Sequence, residues 1–309
     1  MKSKVTIAIP VYNRAAIVGR TLESVAAQTA RPLEVILVDN NSTDGTLEEL
    51  QAWAARHNAP DFCVKVVVEP IPGAAAARNK ALALTTTPWL MYFDSDDLMA
   101  PDHVARAMAR AYDDDLDIVG WDVEERRGTA VRTLPFHADT DMWSSLFGGS
   151  YSTLRYMART DLFRRAGGWD AEVRLWDDIE LASRMLALRP AIAKVVGKPT
   201  VTVLPLPDSI SVNRGGDYLD RMEAPLTKIA ATLPPDKRIW VDCFATVHIG
   251  NTRREAAGNS ALAARCDALV ADIAARQKTP GKRSLIRLLY RFRRAGLRGH
   301  AHLLKPIIR

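Results

Sequence analysis

Trp89-Leu-Met-Tyr-Phe-Asp-Ser-Asp-Asp-Leu98 starts apolar and ends acidic. Residues 89–93 read as a short buried strand, bounded on the left by Thr85-Thr-Thr-Pro88. Asp94, Asp96 and Asp97 then place three carboxylates within four residues. Such carboxylates repel one another and lose solvation where a strand ends in a cleft. A hard divalent cation, Mg²⁺ or Mn²⁺, removes that penalty, taking one or two carboxylates and completing its shell with substrate phosphate and water. The same string also suits a solvated acidic turn before the next helix, so its surroundings decide between the two.

Working outward, the chain alternates strand and helix. Residues 5–11 form a strand, 15–28 carry a helical period, and 33–38 form a second strand that ends at Asp39. Thr46 to His57 reads as a helix, Phe62 to Val68 as a strand, and Gly73 opens a helix that runs to about Leu84. This alternation predicts a parallel sheet with helices on both faces, whose ligands bind where the carboxyl ends of the strands meet. Tyr12, Asp39, Gly73–Asn79 and Asp94–Asp97 all follow strands and are expected on one rim. The first turn, Pro10-Val-Tyr-Asn-Arg14, has no glycine-rich phosphate loop, which argues against a dinucleotide-binding protein or a nucleotidyltransferase.

Beyond Asp102 the pattern gives a helix to about Tyr112, a strand over 117–123, an irregular excursion over 124–150 and a short helix over 161–165. A turn at Gly167-Gly-Trp-Asp170 and a helix opening near Asp177-Asp178 follow, then one or two strands within 191–204. From about Asp217 the pattern is helical, with breaks at Pro234-Pro235 and near Pro280. The expected division is a domain over 1–215 and a helical region over 216–309.

The 309 residues carry a net charge of +6, yet ten Lys/Arg and no Asp/Glu lie between Lys278 and Arg309, so the remainder is mildly acidic. No apolar run reaches membrane-spanning length, and the N-terminus reads as a strand rather than a leader. Cys63, Cys243 and Cys266 are far apart, matching neither a metal spacing nor a disulfide framework and fitting a reducing cytoplasm. His103, His137 and His248 are isolated and read as structural or exposed.

Taken together, five segments resemble the family 2 glycosyltransferases, which have the A-type nucleotide-sugar transferase fold. They are Ile9-Pro-Val-Tyr-Asn13, Val38-Asp-Asn-Asn-Ser-Thr-Asp-Gly-Thr46, Gly73-x-x-x-Ala-Arg-Asn79, Phe93-Asp-Ser-Asp-Asp97, and Gly168-Trp-Asp170 followed by Asp177-Asp-x-Glu-Leu181. Each is short; their order and spacing over residues 4–212 carry the resemblance. Two positions depart from the pattern. Asp177 stands where a Glu is usual, and Leu206 where many members place a metal-holding His.

The resemblance implies an α/β fold with a mixed, mostly parallel sheet flanked by helices and a helical C-terminal extension. It implies inverting, metal-dependent transfer of a sugar from a nucleotide sugar, with uridine or thymidine donors favoured, to a glycan or lipid-linked acceptor in surface polysaccharide synthesis. An acceptor hydroxyl needs a general base, and a nucleoside diphosphate leaving group needs a cation. Asp178 is the expected base, with Asp177 as support or acceptor contact. Pro10, Tyr12, Asp39, Arg78 and Asp94 are expected around the nucleotide, Asp39 accepting from the base and Tyr12 stacking on it. Asp96 is the first choice for direct Mn²⁺ or Mg²⁺ contact, with Asp94 supporting it and Asp97 an alternative. The plainer alternatives are an Asx turn at Asp39, helix-start charges at Asp177-Asp178 favoured by the macrodipole, and a solvated helix charge at Arg78.

Trp143, Tyr151, Trp169 and Trp176 flank the later motifs and suit either sugar stacking or a core. In the tail, Leu285, Leu288, Leu289 and Phe292 recur at helical spacing beside Arg287, Arg291 and Arg294, and Leu303, Leu304, Ile307 and Ile308 form a second apolar cluster. That pattern predicts an interfacial helix on an anionic membrane surface, with packing on the body or a second subunit as alternatives. The expected location is cytoplasmic, peripheral to the inner face of a membrane. No nucleic-acid motif accompanies the basic run. A catalytically inactive sugar-nucleotide-binding module that docks partners through the tail is the rival from another functional class.

Overall fold

A computed structural model describes residues 3–112, 115–205, 217–256 and 258–297. The described residues fall into two compact units. One takes those within 1–172 and 177–209, the other those within 173–176 and 210–309. The expected boundary at 215/216, Leu206, the segment 208–211 and the apolar cluster 303–308 lie outside the described residues.

The first unit is built on β1 (Val5–Val11), α1 (Val18–Ala26), β2 (Leu33–Asp39), α2 (Thr46–His57), β3 (Phe62–Val68), α3 (Ala74–Leu84) and β4 (Trp89–Tyr92). Ile7, Ile9, Leu37, Met91 and Phe93 are fully buried, as continuously apolar strands covered on both faces must be. Beyond these lie β5 (Leu98–Met99), α4 (His103–Tyr112), β6 (Ile118–Gly120), β7 (Val123–Arg127), β8 (Ala130–Leu134), α5 (Met142–Gly148), β9 (Tyr156–Arg159), α6 (Thr160–Arg165), α7 (Asp177–Ala187), β10 (Ile192–Lys194) and β11 (Val201–Val203).

Seven strands form one sheet in the order β10-β6-β9-β4-β1-β2-β3. β1 lies between β2 and β4 and runs parallel to both. The chain therefore leaves β1 toward β2 and β3, and returns on its other side at β4. This reversal opens a crevice at the carboxyl ends of β1, β2 and β4. β9 makes the sheet mixed, pairing antiparallel with both β4 and β6. A smaller sheet, β5-β11-β7-β8, lies beside it.

The excursion over 124–150 proved more regular than its sequence suggests. β7 and β8 form an antiparallel hairpin that is half charged and, Val123 apart, exposed or half-exposed, so no apolar alternation marks it. The strand expected over 117–123 divides into β6 and β7, which belong to different sheets.

The second unit holds α8 (Tyr218–Arg221), α9 (Glu223–Thr232), α10 (Ile239–Glu255), α11 (Ser260–Ala275) and α12 (Pro280–Arg294). Thr279 accepts from the Lys282 N–H to cap α12, and Pro280 occupies its first turn. Ile286, Leu289 and Tyr290 of α12 are buried within the unit, while Leu288 is 45% exposed. Of the apolar face expected to meet lipid, Leu289 is buried, Leu285 and Phe292 are half-buried and Leu288 stays exposed, beside the exposed Arg287, Arg291 and Arg294.

Candidate active site

The rim of the crevice is a set of short hydrogen-bonded loops. After β1, the Asn13 N–H donates to Ser42 Oγ at 3.0 Å, and Asn13 Oδ1 accepts from the Thr43 N–H at 2.8 Å. Asn40 ties the end of β2 to the loop before α3: its Oδ1 accepts from the Gly73 N–H at 2.7 Å, and its Nδ2 donates to the carbonyls of Glu69 and Ile71. Gly73, at φ +124°, adopts a turn closed to most side chains. Pro10 sits in β1 opposite Val38, and Tyr12 stands on the rim, 58% exposed.

Asp39 closes β2 and is 2% exposed. Its Oδ2 accepts from the Ser42 N–H at 3.2 Å, forming the Asx turn that its composition allows. Its Oδ1 is buried without a hydrogen-bond partner. A buried acceptor left unmade is costly, so this oxygen is suited to a donor from outside the chain.

The acidic turn after β4 is fixed by α1. Thr21 Oγ1 donates to the Ser95 carbonyl at 3.1 Å, and Arg20 to the Asp96 carbonyl at 3.0 Å. The three carboxylates then part company. Asp94 keeps about a third of its side chain open, at 32%, with Oδ1 3.7 Å from the Arg78 guanidinium. Asp96 is half-buried. Asp97 is 3% exposed, and its Oδ1 accepts from the Leu204 N–H at 2.8 Å. Burial pushes Asp97 up to about 8 and Asp94 to about 6, Arg78 opposing the latter shift and Asp96 adding to it.

Arg78 joins this turn to α7. Its guanidinium donates to Asp177 Oδ2 at 2.7 Å and lies 4.4 Å over the Trp169 ring. Burial works against its charge, but Asp177, Asp94 and Asp178 outweigh burial and raise its pKa. Next to it, Asn79 clamps the turn before α7. Its Oδ1 accepts from the Trp169 N–H at 2.8 Å and its Nδ2 donates to the Trp169 carbonyl at 2.7 Å. Gly168, at φ +69°, is needed here, because a Cβ would lie 2.7 Å from Asn79 Oδ1.

Asp177 and Asp178 open α7, where backbone N–H groups favour negative charge. Asp178 Oδ1 accepts from the Ile179 N–H at 2.8 Å. Burial and the Asp177 charge hold Asp178 well above the ordinary carboxylate range, against the Ile179 N–H and Arg78. A carboxylate so raised can take a proton near neutral pH.

Among the described residues, no three His, Cys, Asp or Glu side chains gather as a metal-holding group. The donor chemistry nevertheless fits a hard cation. Asp94 and Asp96 offer oxygen ligands on a partly open turn, and a cation with such a small protein shell would use substrate phosphate for the rest. Asp97, turned to Leu204, is poorly placed to share it.

Of the residues named from sequence, Arg78, Asp94, Asp177 and Asp178 form one electrostatic group. Asp39 and Tyr12 lie at neighbouring strand ends. Trp143, Tyr151 and Trp169 are buried core, whereas Trp176 packs edge-on to Phe244 and His248 in the helical unit. His103 is buried against Thr200 and Trp121. Sequence reading gave Asn40 and Asn79 no role of their own. Asn79 did stand inside a recognised motif, but its partner is 90 residues away.

Residues 6–153 match Glycosyl transferase family 2. That span is just under half of the chain. An Escherichia coli (strain K12) relative, the uncharacterized glycosyltransferase YibD, is 31% identical over 116 residues, or 38% of this chain and 33% of the relative. The match thus spans about a third of that relative's length. The fold resembles that of S. aureus TarS 1–349 in complex with UDP-GlcNAc, with TM-score 0.64 and 19% identity over 79% of this chain and 71% of that one. It also resembles the mannosyltransferase PcManGT from Pyrobaculum calidifontis in complex with GDP-Man and Mn²⁺, with TM-score 0.53 and 22% identity over 94% of this chain and 86% of the other. The match ends at residue 153, so α7, with Asp177 and Asp178, lies beyond it.

Proposed function

We propose that the protein transfers a sugar from a nucleotide-sugar donor to a hydroxyl of a glycan or lipid-linked acceptor, inverting the anomeric centre, as in surface polysaccharide synthesis. The observation that carries this reading is the span of Arg78, whose guanidinium reaches Asp94 after β4 and Asp177 at the start of α7. One residue thereby joins the donor-side carboxylates to the proposed base.

Asp178 takes the proton of the acceptor hydroxyl. The acceptor oxygen bonds to the anomeric carbon as the bond from that carbon to the diphosphate breaks, and the diphosphate leaves with the electron pair. Arg78 holds Asp177 and moderates the pKa of Asp178. Asp39 Oδ1 accepts the imide N–H of a uracil or thymine base, and Tyr12 offers a ring face to it. Asp94 and Asp96 would hold Mn²⁺ or Mg²⁺. Such an ion, when bound, offsets charge developing on the diphosphate. The basic outer face of α12 is suited to an anionic membrane surface, where a lipid-linked acceptor would be found.

The test is nucleotide release from a donor panel that includes UDP-glucose, UDP-N-acetylglucosamine and GDP-mannose, each with Mn²⁺, Mg²⁺ or EDTA. The expected result is metal-dependent release of UDP from one donor, accelerated by an acceptor glycan. Undiminished release in EDTA overturns the metal assignment. Nucleotide binding without release from any donor favours the inactive binding module.

A further inference from the structure

The helical unit contains a groove of about 830 Å³ that the transferase reading does not use. It lies among α9, the start of α10, the end of α11 and the first turn of α12, entirely within that unit. Its lining includes the apolar side chains Leu226, Ala230, Ala245 and Ile273. It also includes the cations Arg238, Arg276, Lys278 and Lys282. A single carboxylate, Asp242, joins the lining; it accepts from Gln277 Nε2 at 2.8 Å, and burial raises its pKa.

The lining thus brings apolar and cationic side chains into one groove. Four cations beside one partly buried acid attract an anion, while the aliphatic wall gains by covering hydrocarbon. Arg276 acts on the Asp242 carboxylate, while none of the four cations forms a salt bridge with a described residue. A free phosphate would leave the wall wet, and a neutral lipid would leave the cations unmatched. The volume is that of a site for a small molecule or one lipid segment.

We propose that this groove binds a single phosphate-bearing amphiphile, its head on the Arg276–Lys282 side and its hydrocarbon on the wall formed by Leu226 and Ala230. The site is independent of sugar transfer, and its test uses neither donor nor acceptor.

The full chain is titrated calorimetrically with dihexanoyl phosphatidic acid below its micelle concentration, with dihexanoyl phosphatidylcholine, and with inorganic phosphate. The expected result is saturable binding of phosphatidic acid at least tenfold tighter than of either control. Ala230→Trp fills the apolar side and Arg276→Glu with Lys282→Glu reverses the basic side; each is expected to weaken binding at least tenfold. The charge-reversal variant alters exposed side chains only, so it remains informative if Ala230→Trp lowers the melting temperature. Equal binding of phosphatidylcholine, equal binding of inorganic phosphate, or unchanged affinity in the charge-reversal variant would each overturn the proposal; the last outcome would move binding to another basic surface.

Discussion

Arg78 and Asp177 are 99 residues apart in sequence and joined by a 2.7 Å charge-assisted hydrogen bond. The same guanidinium covers Trp169 and approaches Asp94, so α3, the β4 turn and α7 share one cation. Arg78→Met keeps a side chain over Trp169 but removes the charge. Breaking a largely buried pair by deleting one partner typically costs about 3–5 kcal/mol. Loss of the cation also raises Asp178 further. The expected outcome is lower stability in urea and an acid limb of kcat/KM moved to higher pH. An unmoved limb would show that Arg78 does not act on the base.

Asp178→Asn retains the shape of the helix start and cannot accept the hydroxyl proton. Turnover is expected to fall by about 10²–10⁴-fold, with UDP affinity within about twofold of the parent by calorimetry. In the parent, activity should fall as pH drops through the raised pKa of Asp178, because only the carboxylate form is a base. The acid limb should therefore lie well above the ordinary carboxylate range. A limb near pH 4 would contradict the assignment.

Asp39→Asn separates the two oxygens of that carboxyl group. The amide oxygen can still accept from Ser42, while the NH₂ replaces the acceptor at the buried unpartnered position. UDP affinity should fall by about tenfold or more, since an unmatched buried polar contact costs about 1–3 kcal/mol. Folding stability should hold. Unchanged UDP affinity, measured by calorimetry, would remove Asp39 from the nucleotide site.

Asn79→Ala leaves both the Trp169 N–H and its carbonyl without their partner. A loss of about 2–3 kcal/mol is expected for buried groups of this kind. Asn79→Asp retains the acceptor for the Trp169 N–H and should be less severe at neutral pH. Turnover should fall more than donor affinity, because the turn sets the start of α7. Equal losses in both would place the effect in general unfolding.

His103 is buried and its pKa is pushed down to about 3, first by burial and then by Arg106. The unfolded chain gains the His103 proton near pH 6.5, whereas the folded chain resists it, so stability falls as pH drops below 6.5. At pH 5 the loss from this one group is about 2 kcal/mol. His103→Gln should flatten the difference between urea midpoints at pH 5 and pH 7. Parallel pH dependence in the two proteins would refute it.

Much of the sheet was legible because its signal is local. β1, β2 and β4 are short apolar runs ended by polar turns, and α2 occupies Thr46–His57 as its period predicts. β9 was less visible: its four residues pair antiparallel in the middle of the sheet but carry no turn signal of their own. The hairpin β7–β8 hid for a different reason. Beyond Val123 and Leu134 at its base, its strands satisfy backbone hydrogen bonds without burying an apolar face.

Sequence by itself determined the strand-helix alternation, the acidic end of β4 and the paired carboxylates that open α7. These depend on residue type, period and order along the chain. Tertiary structure alone decided that Asp97 turns to the Leu204 N–H while Asp94 faces Arg78, that Asn79 holds Trp169, and that α12 buries Ile286 and Leu289. The physical reason is that the direction of a carboxylate or an apolar face is set by the partner it meets, and in the case of Asp97 that partner lies 107 residues away.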